Sequence, residues 1–296
     1  MLAGPTASGK SAAALQLAES YGLDIISADS MQVYLGMDVG TAKPSPAGRQ
    51  RVRHHLLDVV TPAEPFSVAD YVRAAEAAIS QVLAAGRSAL IVGGTGFYLR
   101  ALRHGLPTVP PADLEAQAPL WRAVREGRLD DLIAELARAA PADAARAQRN
   151  PRRVVRSLEV LRATGRPPSA YPNRPPRYTY DLLVLDPPAE ALVERIAERA
   201  SRMFEAGLVE EVRSLLAEYP EQPTALQAIG YKEVAAHVRG EISEAQALEA
   251  VTVATRQYAK RQRTWFRRET DSTTLPGFGH EMGEELAAWL EGVLRR

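Results

Sequence analysis

Short apolar runs alternate with longer segments of helical periodicity along most of the chain. Asp24 to Ala28 and Ala89 to Val92 are apolar enough to be strands buried on both faces. A helix-like stretch from Val68 to Ala85 lies between them and supplies the crossover that parallel strands require. A further apolar run extends from Leu182 to Asp186. The pattern predicts an α/β fold in which a parallel sheet is flanked by helices.

The pattern changes after the second strand, where Ala, Arg, Glu and Leu predominate. Helical periodicity there covers three segments, Leu114–Arg125, Leu129–Ala139 and Pro151–Ala163. We therefore expect an all-α insertion domain at residues 113–180 and a catalytic core formed by residues 1–112 and 181–296.

A phosphate-binding loop is predicted near the start of the chain. Residues 4–11 fit the pattern G-x-x-x-x-G-K-[ST] and good helix formers follow them. In such a loop the backbone N–H groups and the helix dipole surround a phosphate, the lysine adds charge, and the last hydroxyl can ligate Mg²⁺. We expect a ligand with at least two phosphates, and a plain Gly-rich turn is the alternative. The predicted loop consists of Gly4, Pro5, Thr6, Ala7, Ser8, Gly9, Lys10 and Ser11, with Ser11 as the metal ligand.

The strand that should precede this loop is short. Only Met1 to Ala3 are available, fewer than the five or six residues usual for a strand. A start codon upstream of Met1 would supply the missing residues. We therefore expect the core to resemble P-loop NTPases, which carry such a phosphate-binding loop (P-loop), but to have a curtailed first strand.

Two polar side chains follow predicted strands. Asp29 comes after the first strand and Thr95 lies in the Gly-rich turn after the second, at the sheet edge where open α/β folds bind ligands. Asp29 could instead cap a turn. The remaining apolar strand ends at Asp186, but Pro187 and Pro188 follow at once, so we do not expect the water-activating carboxylate of an ATPase.

Composition narrows the possible classes of protein. The chain has 296 residues, of which 46% are hydrophobic and 24% charged, and no apolar run is long enough to cross a bilayer. It contains no Cys, which excludes disulfides and thiolate zinc sites, and no signal-peptide pattern, so a cytoplasmic location is expected. Its formal net charge is zero, so any affinity for nucleic acid must come from local basic clusters.

Two basic clusters are present. Arg152, Arg153 and Arg156 open a helix of the insertion, and Arg152 and Arg156 share one face. The second cluster lies near the C-terminus, where charge for phosphates and rings for stacking occur together. Its members are Arg256, Tyr258, Lys260, Arg261, Arg263, Trp265, Phe266, Arg267 and Arg268. In the alternative interpretation, Trp265 and Phe266 are core residues.

Five blocks in order resemble tRNA dimethylallyltransferases, also called tRNA isopentenyltransferases. They are GPTASGKS at residues 4–11, DSMQVYLGMDVGTAKP at 29–44, GGTGFYLRAL at 93–102, IGYKE at 229–233 and TRQYAKRQRTW at 255–265. The resemblance implies transfer of a prenyl group from dimethylallyl diphosphate to N6 of the adenosine 3′ of the anticodon, position 37, in tRNAs that read codons beginning with U. It also implies Mg²⁺ as cofactor, the tRNA anticodon stem-loop as partner, and a monomer.

The resemblance also implies roles for individual residues. Residues 6–11 would hold the diphosphate, and Arg199 would bind it as it leaves. Asp29 would accept the N6 proton. Thr95 would line a channel past the P-loop, through which the prenyl donor reaches the adenine. The implied tRNA contacts are Asp29, Ser30, Met31, Gln32, Thr95, Gln117, Arg152, Arg153, Arg156, Gln227, Gly230, Tyr231, Lys232, Lys260, Arg261, Gln262, Arg263, Trp265 and Arg267. Gln117 departs from the family, which usually has Arg there.

Three other functions remain open on the sequence. An adenylate isopentenyltransferase would use the same donor with free AMP or ATP as acceptor, although the insertion and the basic C-terminal helix disfavour it. A small-molecule P-loop kinase would transfer phosphate from ATP and ignore RNA. A non-catalytic RNA-binding protein would keep the basic clusters and dispense with Asp29.

Overall fold

The computed structural model describes residues 1–222 and 224–295, which form two compact units. The core unit comprises Met1–Arg103 and the chain from Arg177 onward, and the helical unit comprises His104–Pro176. The described residues of the core unit contain a six-stranded sheet in the order β3-β2-β4-β1-β5-β6, and every strand pair is parallel. The predicted α/β fold with a parallel sheet is confirmed. The strands are β1 Leu2–Ala3, β2 Asp24–Ser27, β3 His54–His55, β4 Ala89–Gly93, β5 Leu182–Leu185 and β6 Ser272–Leu275.

Helices account for most of the remaining described chain. In chain order they are α1 Lys10–Tyr21, α2 Pro46–Arg51, α3 Val68–Ala84, α4 Gly96–His104, α5 Leu114–Arg125, α6 Leu129–Ala139, α7 Pro141–Ala147, α8 Pro151–Thr164, α9 Ala189–Glu205, α10 Leu208–Glu218, α11 Tyr231–Val238, α12 Glu244–Phe266 and α13 Gly283–Leu294. Short 3₁₀ turns occur at Pro168–Ala170 and Ala225–Gln227. Among the helices of the described residues, none combines the length and apolarity needed to span a bilayer.

The curtailed first strand lies in the middle of the sheet. Leu2 pairs with Val92 on β4 and with Leu183 on β5, so both of its edges are hydrogen-bonded. Leu2 and Ala3 are fully buried. Two residues suffice because their neighbours hold them on both sides, and the P-loop begins directly after them.

Apolar side chains fill the space on both faces of the sheet. On one face Tyr71 of α3 stacks on Tyr98 of α4 at a ring separation of 3.9 Å, and Phe266 of α12 joins the same cluster. On the other face Leu17 of α1 and Leu286 of α13 pack against the strands. Burial of each such side chain contributes about 1.5–3 kcal/mol, so both layers fix the sheet edge that carries the site.

The helix starts follow capping signals in the sequence. Ser67 and Asp70 form a reciprocal capping box at the start of α3. Asn150 caps α8, whose first residue is Pro151, and Ser243 caps α12. These caps satisfy N–H groups that have no partner inside a helix.

The helical unit has its own core, which includes the fully buried Leu120, Leu136, Val154 and Leu158. The three helices predicted there are confirmed as α5, α6 and α8, and α7 was not predicted. The predicted domain division at residues 113–180 stays a prediction.

Candidate active site

The P-loop connects β1 to α1 through a backbone that includes left-handed residues. Gly9 has a φ of 83° and Ala7 a φ of 63°. A Cβ on Gly9 would lie 3.2 Å from the amide nitrogen of Gly279, so space as well as φ favours glycine there. The Gly279 N–H also donates to the Ser8 carbonyl at 3.0 Å. The loop is therefore fixed from the C-terminal part of the chain.

A second fixed point of the P-loop is Gln262 of α12. Its Oε1 accepts from the Thr6 N–H at 2.8 Å, and its Nε2 donates to the Gly94 carbonyl at 2.9 Å. The side chain is 5% exposed. One amide thus joins the P-loop to the turn after β4, and each of its two groups satisfies a backbone partner.

Asp29 and Thr95 meet at the carboxyl ends of β2 and β4, as predicted. The Thr95 N–H donates to the Ala28 carbonyl at 3.2 Å, and Thr95 Oγ1 accepts from the Ser30 N–H at 3.0 Å. Asp29 Oδ1 accepts from the Met31 N–H at 2.9 Å, so it does cap a turn. Among the described residues no hydrogen bond engages Asp29 Oδ2. The turn therefore orients the carboxylate and leaves one oxygen for chemistry.

Arg199 of α9 reaches the P-loop. Its Nη1 donates to Thr6 Oγ1 at 3.1 Å. Burial lowers the pKa of Arg199 from its ordinary value, and the negative charge of Asp29 opposes this shift. Burial, together with the positive charge of Arg199, lowers the pKa of Lys10 to about 8, again against the effect of Asp29. Both cations are held in a partly desolvated place where an anion would stabilise them.

Two cavities open around these groups. The larger, of about 770 Å³, is lined by the P-loop residues Thr6, Ala7, Gly9, Lys10 and Ser11. The smaller, of about 330 Å³, has apolar walls from α9 and α12 and includes Ser30, Met31, Gln227, Gly230 and Arg261. Six residues line both cavities, namely Thr6, Asp29, Thr41, Arg199, Met203 and Tyr258.

The sequence placed Tyr258 in the C-terminal basic cluster but did not predict its position beside Asp29. Burial of its hydroxyl, together with the charge of Asp29, raises the pKa of Tyr258 to about 12, while hydrogen bonds with Thr95 and Gln262 lower it. It precedes Gln262 by four residues, which is one helical turn, and that spacing was the available signal. Arg195 and Arg202 were missed, although they lie four before and three after Arg199 on α9 and line the larger cavity with it.

Several residues predicted to contact tRNA have exposed side chains. They are Arg152, Arg153, Gln227, Lys232, Lys260, Arg261 and Arg267. In the helical unit, Arg156 Nη1 forms an ion pair with Glu159 Oε1 at 2.7 Å, and Gln117 Nε2 donates to Glu159 Oε2 at 2.7 Å. Gln117 is thus part of a local network around Glu159. Gln32 is half-buried, donating to the Thr41 carbonyl at 3.2 Å and accepting from the Ser27 hydroxyl at 3.0 Å.

Other residues predicted to contact tRNA are buried or half-buried, and their assignment stays a prediction. Tyr231 is 2% exposed, and Gly230 beside it is buried as well. Gln262 uses its amide to join the P-loop to the turn after β4. Trp265 packs on Gly96, where a Cβ would collide with its ring, and against the core. Packing inside the protein therefore accounts for the positions of the Tyr231 and Trp265 rings.

Asp186 is occupied by ion pairs. Arg263 Nε approaches Asp186 Oδ1 at 2.5 Å, and Arg267 Nη2 approaches Oδ2 at 3.1 Å. The carboxylate at the end of β5 therefore anchors α12.

The residues present fit a magnesium ion held mainly by a bound diphosphate. The described residues contain no group of three or more His, Cys, Asp or Glu able to hold a metal by themselves. Mg²⁺ usually keeps several waters and binds through substrate phosphates with only one or two protein ligands. Ser11 has an exposed side chain and lines the larger cavity, which Asp29 also lines.

Comparison with known proteins decides the family. The family model described as IPP transferase matches residues 32–269. The chain belongs to the IPP transferase family. The resemblance inferred from five blocks is confirmed. The matched range begins at residue 32, after the P-loop and Asp29. Relatives that match nearly the whole chain include those residues as well.

Two curated members of the IPP transferase family are similar over nearly the whole chain. The tRNA dimethylallyltransferase of Thermus thermophilus is 52% identical, over 98% of this chain and 96% of that protein. That of Deinococcus radiodurans is 50% identical, over 91% and 89% respectively.

Solved structures of IPP transferases share the fold. A crystal structure of tRNA isopentenylpyrophosphate transferase from Bacillus halodurans has a TM-score of 0.74 at 34% identity, covering 99% of this chain and 95% of that one. A eukaryotic dimethylallyltransferase captured acting on tRNA has a TM-score of 0.77 at 25% identity, covering 98% and 76%.

Proposed function

We propose that this protein transfers the dimethylallyl group of dimethylallyl diphosphate to N6 of an adenosine in tRNA. The observation that carries the proposal is the junction of the two cavities at Asp29 and Arg199. The P-loop residues Ala7, Gly9, Lys10 and Ser11 line only the larger cavity, whereas five residues predicted to contact tRNA line only the smaller one, namely Ser30, Met31, Gln227, Gly230 and Arg261. A donor and an acceptor bound on the two sides would meet at a carboxylate and a guanidinium, which suits a transfer reaction.

The larger cavity supplies what a leaving diphosphate needs. Negative charge builds on the bridging oxygen as the allylic C–O bond breaks, and fixed positive charges lower the energy of that state. Lys10 lies in the P-loop, and Arg199 is oriented by its hydrogen bond to Thr6. Arg195 and Arg202 extend the positive face of α9 by one turn in each direction. The P-loop would thus bind the leaving group of the reaction, the diphosphate.

Asp29 is suited to take the proton that the amine loses. The lone pair of an adenine N6 is delocalised into the ring, so the amine is a poor nucleophile and benefits from a carboxylate within hydrogen-bond reach. The Met31 N–H holds Oδ1 at 2.9 Å, which fixes the carboxylate while Oδ2 is left for the acceptor. Transfer then forms the N6–C bond, breaks the allylic C–O bond and moves one N6 proton to Asp29.

Mg²⁺ is proposed as cofactor, with the Ser11 hydroxyl and the donor phosphates as its ligands. When bound it would neutralise charge on the departing diphosphate. Thr95 would line the channel and hold the Ser30 turn, which keeps Asp29 in place.

The proposed acceptor is adenosine 37, 3′-adjacent to the anticodon, in tRNAs that read codons beginning with U. Such a base must leave its stack to enter a pocket. The smaller cavity has a volume of about 330 Å³ and is lined by Arg261 and by apolar side chains on which an adenine ring can pack. We also propose that the protein acts as a monomer in the cytoplasm.

The test is transfer of labelled dimethylallyl groups to unmodified anticodon stem-loops. One stem-loop carries the target adenine and a matched one carries guanine there, with AMP as a third acceptor and Mg²⁺ present or chelated. Label in the adenine-containing stem-loop alone supports the proposal. Label in AMP would instead indicate an adenylate isopentenyltransferase, and label in none of the acceptors would refute prenyl transfer. Activity that survives chelation would refute the Mg²⁺ role.

A further inference from the structure

Glu211 of α10 makes four hydrogen bonds through one carboxylate. Its Oε2 accepts from the Asp38 and Val39 N–H groups at 3.0 and 2.7 Å. Its Oε1 accepts from the Gly40 N–H at 3.2 Å and from the Tyr231 hydroxyl at 2.5 Å. Three consecutive backbone N–H groups therefore converge on a side chain that lines neither of the two cavities. Such an arrangement suits a carboxylate, whose two oxygens can accept several hydrogen bonds at once.

The residues held by Glu211 belong to a segment that borders both cavities, which we call the 38–43 loop after its first and last residues. Gly40 and Thr41 line the smaller cavity, while Asp38, Val39, Thr41, Ala42 and Lys43 line the larger one. Inside the loop the Lys43 N–H donates to the Asp38 carbonyl at 3.0 Å. The loop therefore contributes to the lining of both cavities and supplies Thr41 to their junction.

Tyr231 lies behind the smaller cavity, next to a segment that lines it. It is the first residue of α11 and directly follows Gln227 to Gly230, which line that cavity. Burial raises the pKa of Tyr231, so its hydroxyl stays a neutral donor to Glu211. Its ring lies so close to the loop that a Cβ on Gly40 would be 2.5 Å from it. Glu211 thus ties the 38–43 loop to the start of α11 through one carboxylate.

We infer that Glu211 is a positioning residue that fixes the width of the smaller cavity by fastening the 38–43 loop to Tyr231. The inference rests on the proposed function only in naming that cavity as the acceptor side. The P-loop is fastened separately, through Gln262 and Gly279. The P-loop, which supplies most of the groups suited to a diphosphate, would keep its place without Glu211, so loss of the Glu211 contacts is expected to impair binding of the RNA acceptor more than binding of the diphosphate donor.

The test compares Glu211→Gln and Tyr231→Phe with Glu210→Gln. The first change keeps the size of the side chain and removes its charge, and the second keeps the ring and removes only the hydroxyl donor. Glu210 is the matched control, because it is the neighbouring residue on α10 and its one interaction among the described residues is an exposed ion pair with Arg213. Hydrogen exchange of the amides of residues 38–40 is measured without substrates, together with the melting temperature. Steady-state KM values are measured for the anticodon stem-loop and for dimethylallyl diphosphate.

The expected result is specific to the loop and the acceptor. In Glu211→Gln, exchange at residues 38–40 and the stem-loop KM should each rise about tenfold or more, as for loss of a charge-assisted hydrogen bond. Tyr231→Phe should raise the exchange rate and the stem-loop KM by a smaller factor. In both variants the KM for dimethylallyl diphosphate should change less than the stem-loop KM. Glu210→Gln should resemble the wild type. Unchanged exchange, or equal rises in both KM values, would overturn the inference.

Failure of the proposed function would be recognised separately. If the wild type transferred no prenyl group, stem-loop binding and amide exchange would still be measured on the same variants. Weaker stem-loop binding with faster exchange would then uphold the positioning role. Unaltered stem-loop binding would overturn it.

Discussion

Lys10 is expected to make donor binding depend on pH above neutrality. In the unliganded protein, burial and the charge of Arg199 lower the pKa of Lys10 to about 8 from its ordinary value of 10.5. A bound diphosphate favours the charged amine and raises that pKa again. Lys10 is charged below its unliganded pKa, so affinity is full there and is lost as the pH rises through about 8. The affinity continues to fall until the pH reaches the pKa that Lys10 has in the complex with the diphosphate.

The magnitude follows from linkage. Between about pH 7 and about pH 9 the charged fraction of a group with a pKa near 8 falls about tenfold, which weakens binding by about tenfold or about 1.4 kcal/mol. Stability of the unliganded protein should move in the opposite direction. An unfolded chain still protonates Lys10 between the two pKa values, so the contribution of this group to folding stability rises with pH there.

The assay is calorimetric titration with dimethylallyl thiodiphosphate, a poorly reactive donor analogue, at constant ionic strength and constant free Mg²⁺. Lys10→Arg is the control, because a guanidinium stays charged across this range. A flat affinity profile for the wild type would refute the reasoning. So would an equal slope in Lys10→Arg, since the titrating group would then lie on the ligand or elsewhere on the protein.

Three further predictions concern neighbouring side chains. Asp29→Asn should lower kcat for transfer about 10²- to 10⁴-fold while analogue binding persists, because the amide cannot take the N6 proton; weak analogue binding or retained kcat would contradict the assigned role. Arg199→Lys should raise the donor KM about tenfold, since an ammonium cannot match a guanidinium at Thr6 and the diphosphate, and stem-loop binding measured by fluorescence anisotropy is the control. Gln262→Ala should cost about 2–4 kcal/mol in urea unfolding, because the Thr6 N–H and the Gly94 carbonyl lose their partner, whereas the exposed Gln257→Ala on the same helix should cost little; equal costs would argue against the bridging role.

The sequence was most informative where periodicity or a motif is local. The helices α5, α6 and α8 were predicted because their apolar positions repeat at helical spacing over three turns or more. Strand β6 was missed because Ser272 to Leu275 is mostly polar and half-exposed, and only pairing with β5 makes it a strand. Helix α7 was missed because its seven residues are too few to show a period.

The candidate site was predictable only in part for a similar reason. The P-loop and Asp29 follow strands directly, so topology alone brings them to one edge of the sheet. The places of Tyr258 and Glu211 depend on how α12 and α10 pack, which no local pattern reports. The burial of Tyr231 was not predictable either, because a ring in a family block gives no indication of which side it faces.

The bridge made by Gln262 would couple the binding of the donor to the binding of RNA. Arg261 lines the smaller cavity, whereas the next residue, Gln262, holds the P-loop at Thr6. Any displacement of this helical turn by docked RNA is therefore passed to the phosphate site by a hydrogen bond of 2.8 Å. Thermodynamic reciprocity then requires the donor to change RNA affinity by the same factor as RNA changes donor affinity. One buried amide would thus make the two substrates of this protein sense each other before any bond is broken.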